Sequence, residues 1–391
     1  MSILLFLAMG LELAGLLALY LLGRDHARGI PGPGPIPASL PRAAMIVPVT
    51  GDAPGVREAI GSLARQDYPG LVIVFATATD DDPAVPLAEE RVREGEGRVF
   101  RVTAGLAERC GQKNRNLLGA VEFLRGRPNP PDIYLFCDST HLARPDFAAT
   151  LAAPLARGQA VLTSGFHRVI PLDFALGTLA MLVACLGLRM MQSIRALTQP
   201  WGGAMAMTRE CFERYRVADL WAENIVDDCS MAALLRKKGV VCRPVAAATL
   251  DTPLAGMGLR RFGDWLTRQL LYLKFCFPGT WIAAIPAALF LCLAPVAAAV
   301  ILAGGLAGAF SPAASLGAAA FLVGLFGLGL AFRGLSPRRV PLREWMAGYL
   351  ATFLMVGWCF IRTLFTTIMV WRDIAYKVGP GGRVREVVRR G

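Results

Sequence analysis

Three groups of acidic residues in this chain have the types and spacing to do chemistry. Asp80 to Asp82 and Asp138 each follow a short apolar run, and the pair Asp227-Asp228 opens a helical pattern. A carboxylate at the end of a buried strand lies at the carboxyl edge of a sheet, where open α/β sheets bind their ligands. Beside a nucleotide diphosphate it acts through a divalent cation, because bare anions repel each other. The three groups therefore divide into a nucleotide contact, a metal contact and a general base.

Each group also has a structural interpretation. Asp80 to Asp82 could form a solvated turn, and Asp138 could begin an Asp-Ser turn with no chemistry. Asp227 and Asp228 could stabilise the positive end of a helix dipole. Their joint occurrence along one predicted sheet edge favours a common site.

Apolar runs that alternate between strand and helix periodicity must position these acids. In parallel βαβ units the strand-end loops gather at one edge of the sheet. The pattern therefore predicts an α/β fold with a mostly parallel sheet. Strands are expected at residues 43–49, 71–76, 98–102, 133–137, 160–166 and 201–207, and helices at 55–66, 84–94, 113–125, 145–156, 209–215 and 225–235.

The bulk composition indicates a membrane protein. The chain has 391 residues, of which 54% are hydrophobic, and its formal net charge is +12. Its mean hydropathy is +0.47, above the usual value for a soluble protein of this size. Arg and Lys gather beside apolar runs, which indicates contact with anionic lipid headgroups and argues against nucleic acid as a partner. The nine scattered Cys, with no Cys-x-x-Cys pair, are typical of a reduced cytoplasmic domain.

The N-terminal apolar run predicts a membrane anchor. Residues 3–22 are interrupted only by Glu12, and no basic segment or cleavage site marks a signal peptide. Arg24 and Arg28 follow directly, which places the next region in the cytoplasm by the positive-inside rule.

Further membrane elements are predicted in the second half. Residues 281–304 and 313–332 have the length of spans, and residues 260–277 form a basic-aromatic amphipathic pattern. Residues 345–371 contain Arg362 near their middle, and a full crossing would put the basic tail outside. A re-entrant or interfacial element, or a helix pair, is therefore preferred. Residues 174–188 are too short for a span and predict a membrane-facing or core helix.

An ordered set of motifs resembles the family-2-like inverting glycosyltransferases, and within them the ceramide glucosyltransferase-like group. The resemblance covers residues 43–280 and the tail, and the full order is far more specific than any single motif. The matching residues are Pro48, Gln66-Asp67-Tyr68-Pro69, Asp81-Asp82-Pro83-Ala84, Gly111-Gln112-Lys113, Asn116-Leu117, Cys137-Asp138-Ser139, Trp201-Gly202-Gly203, Asp227-Asp228, Trp265, Arg268-Gln269, Trp371-Arg372 and Tyr376-Lys377-Val378.

The resemblance implies a GT-A fold, a Rossmann-like mostly parallel sheet with transmembrane helices at both ends of the chain. It further implies a UDP-sugar donor, a divalent metal (Mg²⁺ or Mn²⁺) and inversion at the anomeric carbon. Asp138 takes the role of the metal-site acid, and Asp228 takes that of the catalytic base. The remaining expected donor contacts are Pro48, Asp80, Lys113, Trp265, Arg268 and Gln269.

Three positions depart from the family pattern. Thr140 stands where relatives often have a second metal-site acid, which leaves Asp138 with the phosphates, water and His141 as partners. Thr79 aligns with the family's first acid, so that role moves to Asp80. Asp264 stands before the tryptophan in place of the Arg that many relatives carry.

The predicted enzyme is a multi-pass protein of the bacterial inner membrane or its equivalent that moves a hexose, glucose or a related sugar, to a ceramide-like lipid hydroxyl. Hopanoid, diacylglycerol and polyprenyl phosphate are alternative acceptors, and polysaccharide synthesis is an alternative reaction. A membrane scaffold and a degenerate sugar-nucleotide binder are the non-enzyme alternatives. The expected regions are an anchor (1–28), a linker (29–42), a cytoplasmic catalytic domain (43–259), an interfacial helix (260–280) and a C-terminal membrane region with a cytoplasmic tail (281–391).

Overall fold

The computed structural model describes residues 2–32, 34–53 and 55–389. Within these ranges seven strands form a central sheet and three form a small sheet near the C-terminus. The strands are β1 (Ala43–Pro48), β2 (Val72–Thr77), β3 (Val99–Thr103), β4 (Ile133–Cys137), β5 (Leu162–Pro171), β6 (Ala204–Thr208), β7 (Arg243–Leu254), β8 (Ile368–Trp371), β9 (Ile374–Val378) and β10 (Val384–Arg389). The helices are α1 (Ser2–Ala27), α2 (Val56–Ala64), α3 (Val85–Glu94), α4 (Gln112–Arg125), α5 (Phe147–Ala156), α6 (Leu176–Met191), α7 (Arg209–Arg214), α8 (Val217–Trp221), α9 (Asp228–Lys237), α10 (Leu259–Cys276), α11 (Pro278–Leu306), α12 (Pro312–Arg333) and α13 (Leu342–Leu364).

The central sheet has the order β3-β2-β1-β4-β6-β5-β7. Strands β1 to β4 pair in parallel, and so do β5 and β7. Strand β6 is antiparallel to both of its neighbours, β4 and β5. The predicted mostly parallel α/β sheet is confirmed, and β6 is the antiparallel member within it.

Helices cover both faces of this sheet, which explains why its central strands are apolar along their whole length. In β1, Met45 and Val47 belong to one buried cluster, with residues of α2 and α5. Ala44 and Ile46 point to the opposite face and join residues of α4. Because side chains alternate along a strand, one short apolar run supplies both cores. Packing on both faces holds the sheet in place, and with it the edge at which the acids lie.

Four helices, α1, α11, α12 and α13, are long and apolar enough to cross a membrane by length and composition. Helices α1 and α12 run in the same direction, since Phe6 lies over Gly317 and the rings of Tyr20 and Phe332 are 5.9 Å apart. Helix α6 packs against both α1 and α13, and Met190 near its end contacts Gly23. It is therefore a covered helix, as its length predicted.

The prediction for residues 345–371 needs a correction. A single helix, α13, ends at Leu364, and the residues that follow form β8, so a helix pair is wrong. Its start lies beside the end of α12, where the Trp345 indole donates to Gly329 O at 2.8 Å. Its last turn lies at the junction of α10 and α11, where Lys274 donates to Thr363 O at 2.5 Å. Arg362 is paired with Asp264 at 2.9 Å, which compensates its charge.

The three C-terminal strands pack onto the α/β domain. Gly382 O accepts from the Ile225 backbone N–H at 2.9 Å. Arg389 donates to Ala107 O at 2.5 Å, at the loop before α4. The tail after α13 therefore lies beside the domain that contains the central sheet.

Candidate active site

Asp138 is the first residue after β4, at the carboxyl edge of the sheet. Its backbone N–H donates to Gly203 O at 3.2 Å, which joins the end of β4 to the loop before β6. Its side chain is 30% exposed and therefore open to a ligand on one side. Burial would raise the pKa of Asp138, but the neighbouring Lys113 ammonium holds it below its usual range. Asp138 is a carboxylate at neutral pH.

Lys113 lies in the first turn of α4, directly across from the acids. Its ammonium is 2.8 Å from Asp138 Oδ1 and 3.1 Å from Asp227 Oδ2, and it donates to Gly202 O at 3.2 Å. Burial would lower the pKa of Lys113, but Asp138, Asp227 and Asp228 together raise it. The ammonium thus pairs with two carboxylates and lies within reach of the charge of a third. The predicted site residues Lys113, Asp138 and Asp228 are brought together.

Asp228 is the first residue of α9, and it is oriented by two backbone groups. Its carboxylate accepts from the Gly202 N–H at 2.8 Å and from the Cys229 N–H at 2.6 Å. Burial, with the charge of Asp227 beside it, raises the pKa of Asp228 to about 6. A carboxylate with this pKa holds a transferred proton better than an ordinary aspartate and is still ionised near neutral pH.

Gly202 is required by close packing at the centre of the site. A Cβ atom there would lie 2.2 Å from Asp227 Oδ2 and 2.9 Å from Lys113 Nζ. Any side chain would therefore displace the ion pair. This gives a physical reason for glycine at the second position of the Trp201-Gly202-Gly203 motif.

A cluster of aromatic side chains lies behind Asp138. The His167 ring stacks on Trp201 at 4.6 Å, and its Nδ1 lies 2.7 Å from Thr252 Oγ1. His141 Nδ1 is 2.8 Å from the same hydroxyl, and its Nε2 faces Asp138 Oδ2 at 3.9 Å. Burial lowers the pKa of His141 to about 4, so the imidazole is neutral. His167 is a packed residue that also contacts the hydroxyl that orients His141.

The donor set at Asp138 fits a divalent cation with open coordination positions. A neutral imidazole nitrogen and a carboxylate oxygen 3.9 Å apart can both reach one ion. The described part of the chain contains no cluster of three or more His, Cys, Asp or Glu side chains with metal-site geometry. Asp138 and His141 would therefore leave most positions to phosphate oxygens and water, which is how Mg²⁺ and Mn²⁺ sites on nucleotides are commonly built.

The first acidic group, Asp80 to Asp82, lies in the loop after β2, away from Asp138 along the same edge of the sheet. Asp80 accepts from Arg101 at 2.9 Å, and its side chain is 74% exposed. Hydrogen bonds from Thr103 and Arg101 lower the pKa of Asp80. Asp82 instead accepts from the Gly51 N–H at 2.7 Å and joins the loops after β1 and β2. Asp80 is exposed but already paired with Arg101 and Thr103, and its role as a donor contact stays a prediction.

Pro48 ends β1 at the same sheet edge and pairs in register with Ala76. It therefore lies between the strand that leads to Asp80 and the strand that ends at Asp138. Its role as a donor contact stays a prediction.

Helix α10 carries the other three predicted donor contacts. Trp265 stacks on Phe262 at 6.0 Å and packs into the cluster of membrane helices. Arg268 makes no ion pair within the described residues, and Gln269 is partly buried. Burial raises the pKa of Tyr272, which also responds to the charges of Arg268 and Asp228. Through Leu271 and Phe275 the helix packs beside Ile225 and Val226, just before Asp228. The donor roles of Trp265, Arg268 and Gln269 stay predictions.

The C-terminal strands close the site from the side opposite the sheet. Arg372 donates to Thr50 O at 2.9 Å and lies against Gly51, where an added Cβ would be 2.8 Å from its Nη1. The Tyr376 hydroxyl accepts from the Gln112 N–H at 3.2 Å, next to Lys113. Arg372 and Tyr376, from the last two motifs matched in the sequence (the closing motif), thus contact the loop after β1 and the start of α4.

Three residues named in the sequence motifs have supporting contacts that the sequence did not predict. Asp227 was predicted as part of the acid pair with Asp228, with the helix dipole as its structural alternative, and it is 2% exposed and pairs with Lys113. Asn116 donates to Ala76 O at 3.2 Å and Gln112 donates to Gly105 O at 2.9 Å, which fastens β2 and the loop before α4. The Gln112-Lys113-Asn116 spacing carried this signal, because it puts polar residues on one helix face.

The sheet order, the single antiparallel strand β6 and the carboxylate after β4 define a glycosyltransferase of the GT-A fold. The chain is similar to mannosyltransferase PcManGT from Pyrobaculum calidifontis in complex with GDP-Man and Mn²⁺, at a TM-score of 0.55 and 19% identity over 92% of this chain and 99% of that one. Glucosyl-3-phosphoglycerate synthase from Mycobacterium tuberculosis, in complex with Mn²⁺, UDP and glucosyl-3-phosphoglycerate, has a TM-score of 0.37 at 17% identity and covers 60% of this chain and 79% of that one. No protein of curated function matches the sequence.

The model of Glycosyl transferase family 21 matches residues 13–384. The chain therefore belongs to glycosyltransferase family 21, the ceramide glucosyltransferase family. This confirms the resemblance drawn from the motifs and the predicted GT-A fold.

Proposed function

We propose that this protein transfers a hexose from a UDP-sugar to the hydroxyl of a ceramide-like membrane lipid, with inversion at the anomeric carbon. The observation that carries the proposal is the position of Asp228. Its carboxylate is held by the Gly202 and Cys229 backbone groups. Gly202 joins it to Lys113, and the start of α9 beside it packs against the amphipathic helix α10.

Asp228 acts as the general base in this proposal. The acceptor hydroxyl gives its proton to the carboxylate as its oxygen bonds to the anomeric carbon. The bond from that carbon to the diphosphate oxygen breaks, and the nucleoside diphosphate leaves with the electron pair. The pKa near 6 suits this role, because the base is ionised at neutral pH and holds the proton after transfer.

The donor diphosphate is placed at Lys113 and Asp138. Asp138 and His141 would hold a divalent cation, which supplies positive charge to the leaving diphosphate. Lys113 has three donor hydrogens and contacts Asp138 at 2.8 Å, so it can turn toward a phosphate oxygen without leaving the acids. The solved relative from Pyrobaculum calidifontis contains GDP-Man and Mn²⁺, which agrees with this chemistry.

The lipid acceptor is supported by the surroundings of α10. One face of this helix packs beside the start of α9 through Leu271 and Phe275. Another face packs into the cluster of membrane helices through Phe262 and Leu266. A lipid in the bilayer could therefore present its headgroup hydroxyl at Asp228 without leaving the membrane.

We further propose that α1, α11 and α12 cross the membrane and that the catalytic domain and tail share the cytoplasmic side. Helix α13 begins and ends beside elements of that side, at Trp345 and Thr363. It would therefore lie in the interface or dip into the bilayer. Arg24 and Arg28 at the end of α1 agree with this orientation under the positive-inside rule.

The test is Asp228→Asn in the purified full-length enzyme, with Asp219→Asn as the matched control because Asp219 is an exposed acid on α8. Sugar transfer to ceramide should fall by about 100-fold or more while UDP-sugar binding is retained. Diacylglycerol, hopanoid and polyprenyl phosphate are offered in parallel. Unchanged transfer in Asp228→Asn would refute the base assignment, and transfer only to another lipid would refute the ceramide-like acceptor.

A further inference from the structure

A cavity separate from the acidic site lies where the membrane helices meet the α/β domain. Its volume is about 230 Å³, and it is enclosed by the end of α1, strand β5, helix α6 and the loop after α12. Among its lining residues are Arg28, Arg168, Arg189, Leu186 and Leu335. The cavity thus combines three guanidinium groups with an apolar wall.

The three arginines differ in how their charges are compensated. Arg168 is paired with Asp251 through two contacts of 2.5 and 3.2 Å. Arg28 lies on an exposed helix end, 4.0 Å from Asp25. Arg189 is 4% exposed, and no carboxylate within the described residues lies within ion-pair distance of it. The cavity therefore carries excess positive charge.

Arg189 is the unusual member of this group. Its Nη2 donates to neutral acceptors, Thr249 Oγ1 at 2.8 Å and Ala246 O at 3.3 Å. Its Nη1 is buried and has no hydrogen-bond partner in the described part of the chain. A buried guanidinium without an anion is strongly unfavourable, because its hydration is lost and no opposite charge replaces it. An anionic ligand in the cavity would supply both the charge and the acceptor.

The position of the cavity indicates where that anion comes from. Helices α1 and α12 run in parallel, with Tyr20 and Phe332 side by side at 5.9 Å. Ala27 and Gly334, just beyond those positions, both line the cavity. If α1 and α12 cross the membrane, this level is that of the lipid headgroups, and the apolar wall of Leu182 and Leu186 faces the start of the acyl chains.

We propose that this cavity binds the phosphate-bearing headgroup of an anionic phospholipid, with Arg189 as its buried anchor and Arg28 at its entrance. The site is separate from the donor site, since none of its lining residues is Lys113, Asp138 or Asp228. His167 connects the two, because it lines the cavity and stacks on Trp201. The proposal rests on the membrane placement of α1 and α12 and not on the sugar that is transferred.

The test measures phospholipid bound to the delipidated full-length protein by native mass spectrometry. Phosphatidylglycerol is titrated against phosphatidylcholine, and inorganic phosphate is added as a competitor. The wild type should prefer phosphatidylglycerol by about tenfold, and Arg189→Lys and Arg28→Gln should each weaken its binding by about fivefold. Arg189→Lys keeps the charge but loses the planar fork, and Arg28→Gln changes an exposed residue.

Arg339→Gln is the matched control. Arg339 is an exposed arginine on the loop after α12, which lines the cavity through other residues, but Arg339 itself lies outside the cavity. Equal losses of phosphatidylglycerol binding in Arg339→Gln and Arg28→Gln would overturn the proposal. The lipid would then be attracted by the positive charge of the surface in general and not by this cavity. Equal binding of the two phospholipids would also overturn it. Displacement of the lipid by millimolar phosphate would show that free phosphate, and not a lipid headgroup, is the ligand.

Discussion

The ammonium of Lys113 lies 2.8 Å from Oδ1 of Asp138, and this pair joins α4 to the end of β4. The same ammonium reaches Asp227 at 3.1 Å, so that two neighbouring carboxylates depend on one cation. Without a bound ligand, the ammonium of Lys113 compensates the charges of Asp138 and Asp227 and so allows the two acids to lie close to each other. It therefore contributes to the fold as well as to the site.

Replacement of Lys113 by Met should lower thermal stability, by about 3 kcal/mol, because buried carboxylates are left facing each other. Lys113 holds the pKa of Asp138 below its usual range. The stability from this pair is therefore present above the unfolded-state pKa and is lost as the pH falls through the folded-state value. The difference in Tm between wild type and Lys113→Met should be larger at about pH 8 than at about pH 3, which lies below the unfolded-state pKa of an aspartate.

The control is Lys237→Met, because Lys237 is exposed at the end of α9. Thermal unfolding in detergent at both pH values provides the measurement. Equal losses for the two variants, or a difference that grows toward acid, would contradict the assignment.

The pH dependence of the reaction tests the environment of Asp228. Its pKa of about 6 means that the base form is lost as the pH falls through that value. Transfer should therefore decline below about pH 6. Asp227→Asn removes the second cause of the raised pKa, so the acid limb should move to lower pH.

Single-turnover rates across the acid range would show this shift. Asp219→Asn, which alters an exposed acid, should leave the limb in place. A limb that stays near pH 6 in Asp227→Asn would mean that burial alone sets the pKa of Asp228.

Much of this arrangement could be predicted from the sequence because it depends on local patterns. The run Ile133–Cys137 is buried throughout, and such a run ends where its strand ends, at Asp138. The pairing of Lys113 with Asp227 could not be predicted, because it depends on which strands become neighbours. Periodicity indicates that β6 is a strand but not that it lies antiparallel between β4 and β5.

The helix boundary near the C-terminus was missed for a similar reason. Residues 368–371 are as apolar as the helix before them, yet they form β8 because β9 offers a partner strand. The contact of His141 and His167 with one shared hydroxyl, that of Thr252, could not be predicted either, because Thr252 lies on a different strand, β7.

Gly202→Ala should reduce transfer by about 100-fold, since small displacements of catalytic groups have large effects on rate. The added Cβ would lie 2.2 Å from Asp227 Oδ2, so the acid and Lys113 must move apart. Gly258→Ala is the control, because a Cβ at Gly258 meets nothing within 4 Å. Comparable losses of transfer in both variants would indicate a general sensitivity of loop glycines.

Arg372→Ala should lower kcat/KM by about tenfold, because a charge-assisted hydrogen bond to the loop after β1 is lost. Arg372 donates to Thr50 O at 2.9 Å and covers Gly51. Lys377→Ala on the neighbouring strand is the control, since Lys377 pairs with the exposed Glu386 and with no other acid among the described residues. Steady-state kinetics with varied donor would separate the two. Full activity in Arg372→Ala would show that the closing motif serves folding only.

Mn²⁺ bound with UDP should contact a histidine nitrogen in this protein. His141 Nε2 lies 3.9 Å from Asp138 Oδ2, on the side where Thr140 provides no second acid. Thr252 can accept from His141 Nδ1–H, which leaves the Nε2 lone pair directed toward the carboxylate. Electron spin-echo measurements on the Mn²⁺–UDP complex should therefore detect a coupled ¹⁴N nucleus.

That coupling should disappear in His141→Gln and remain in His26→Gln, which changes a histidine at the end of α1. Thr252→Val should keep the coupling but weaken Mn²⁺ binding by about tenfold, because the partner that orients the ring is lost. Absence of coupling in the wild type would leave Asp138 as the sole protein ligand predicted from this edge of the sheet. Coupling that persists in His141→Gln would assign the nitrogen to another residue and contradict the prediction. The two measurements together distinguish a ligand from a residue that only packs behind the acid, since a packing residue would change affinity without any nitrogen signal.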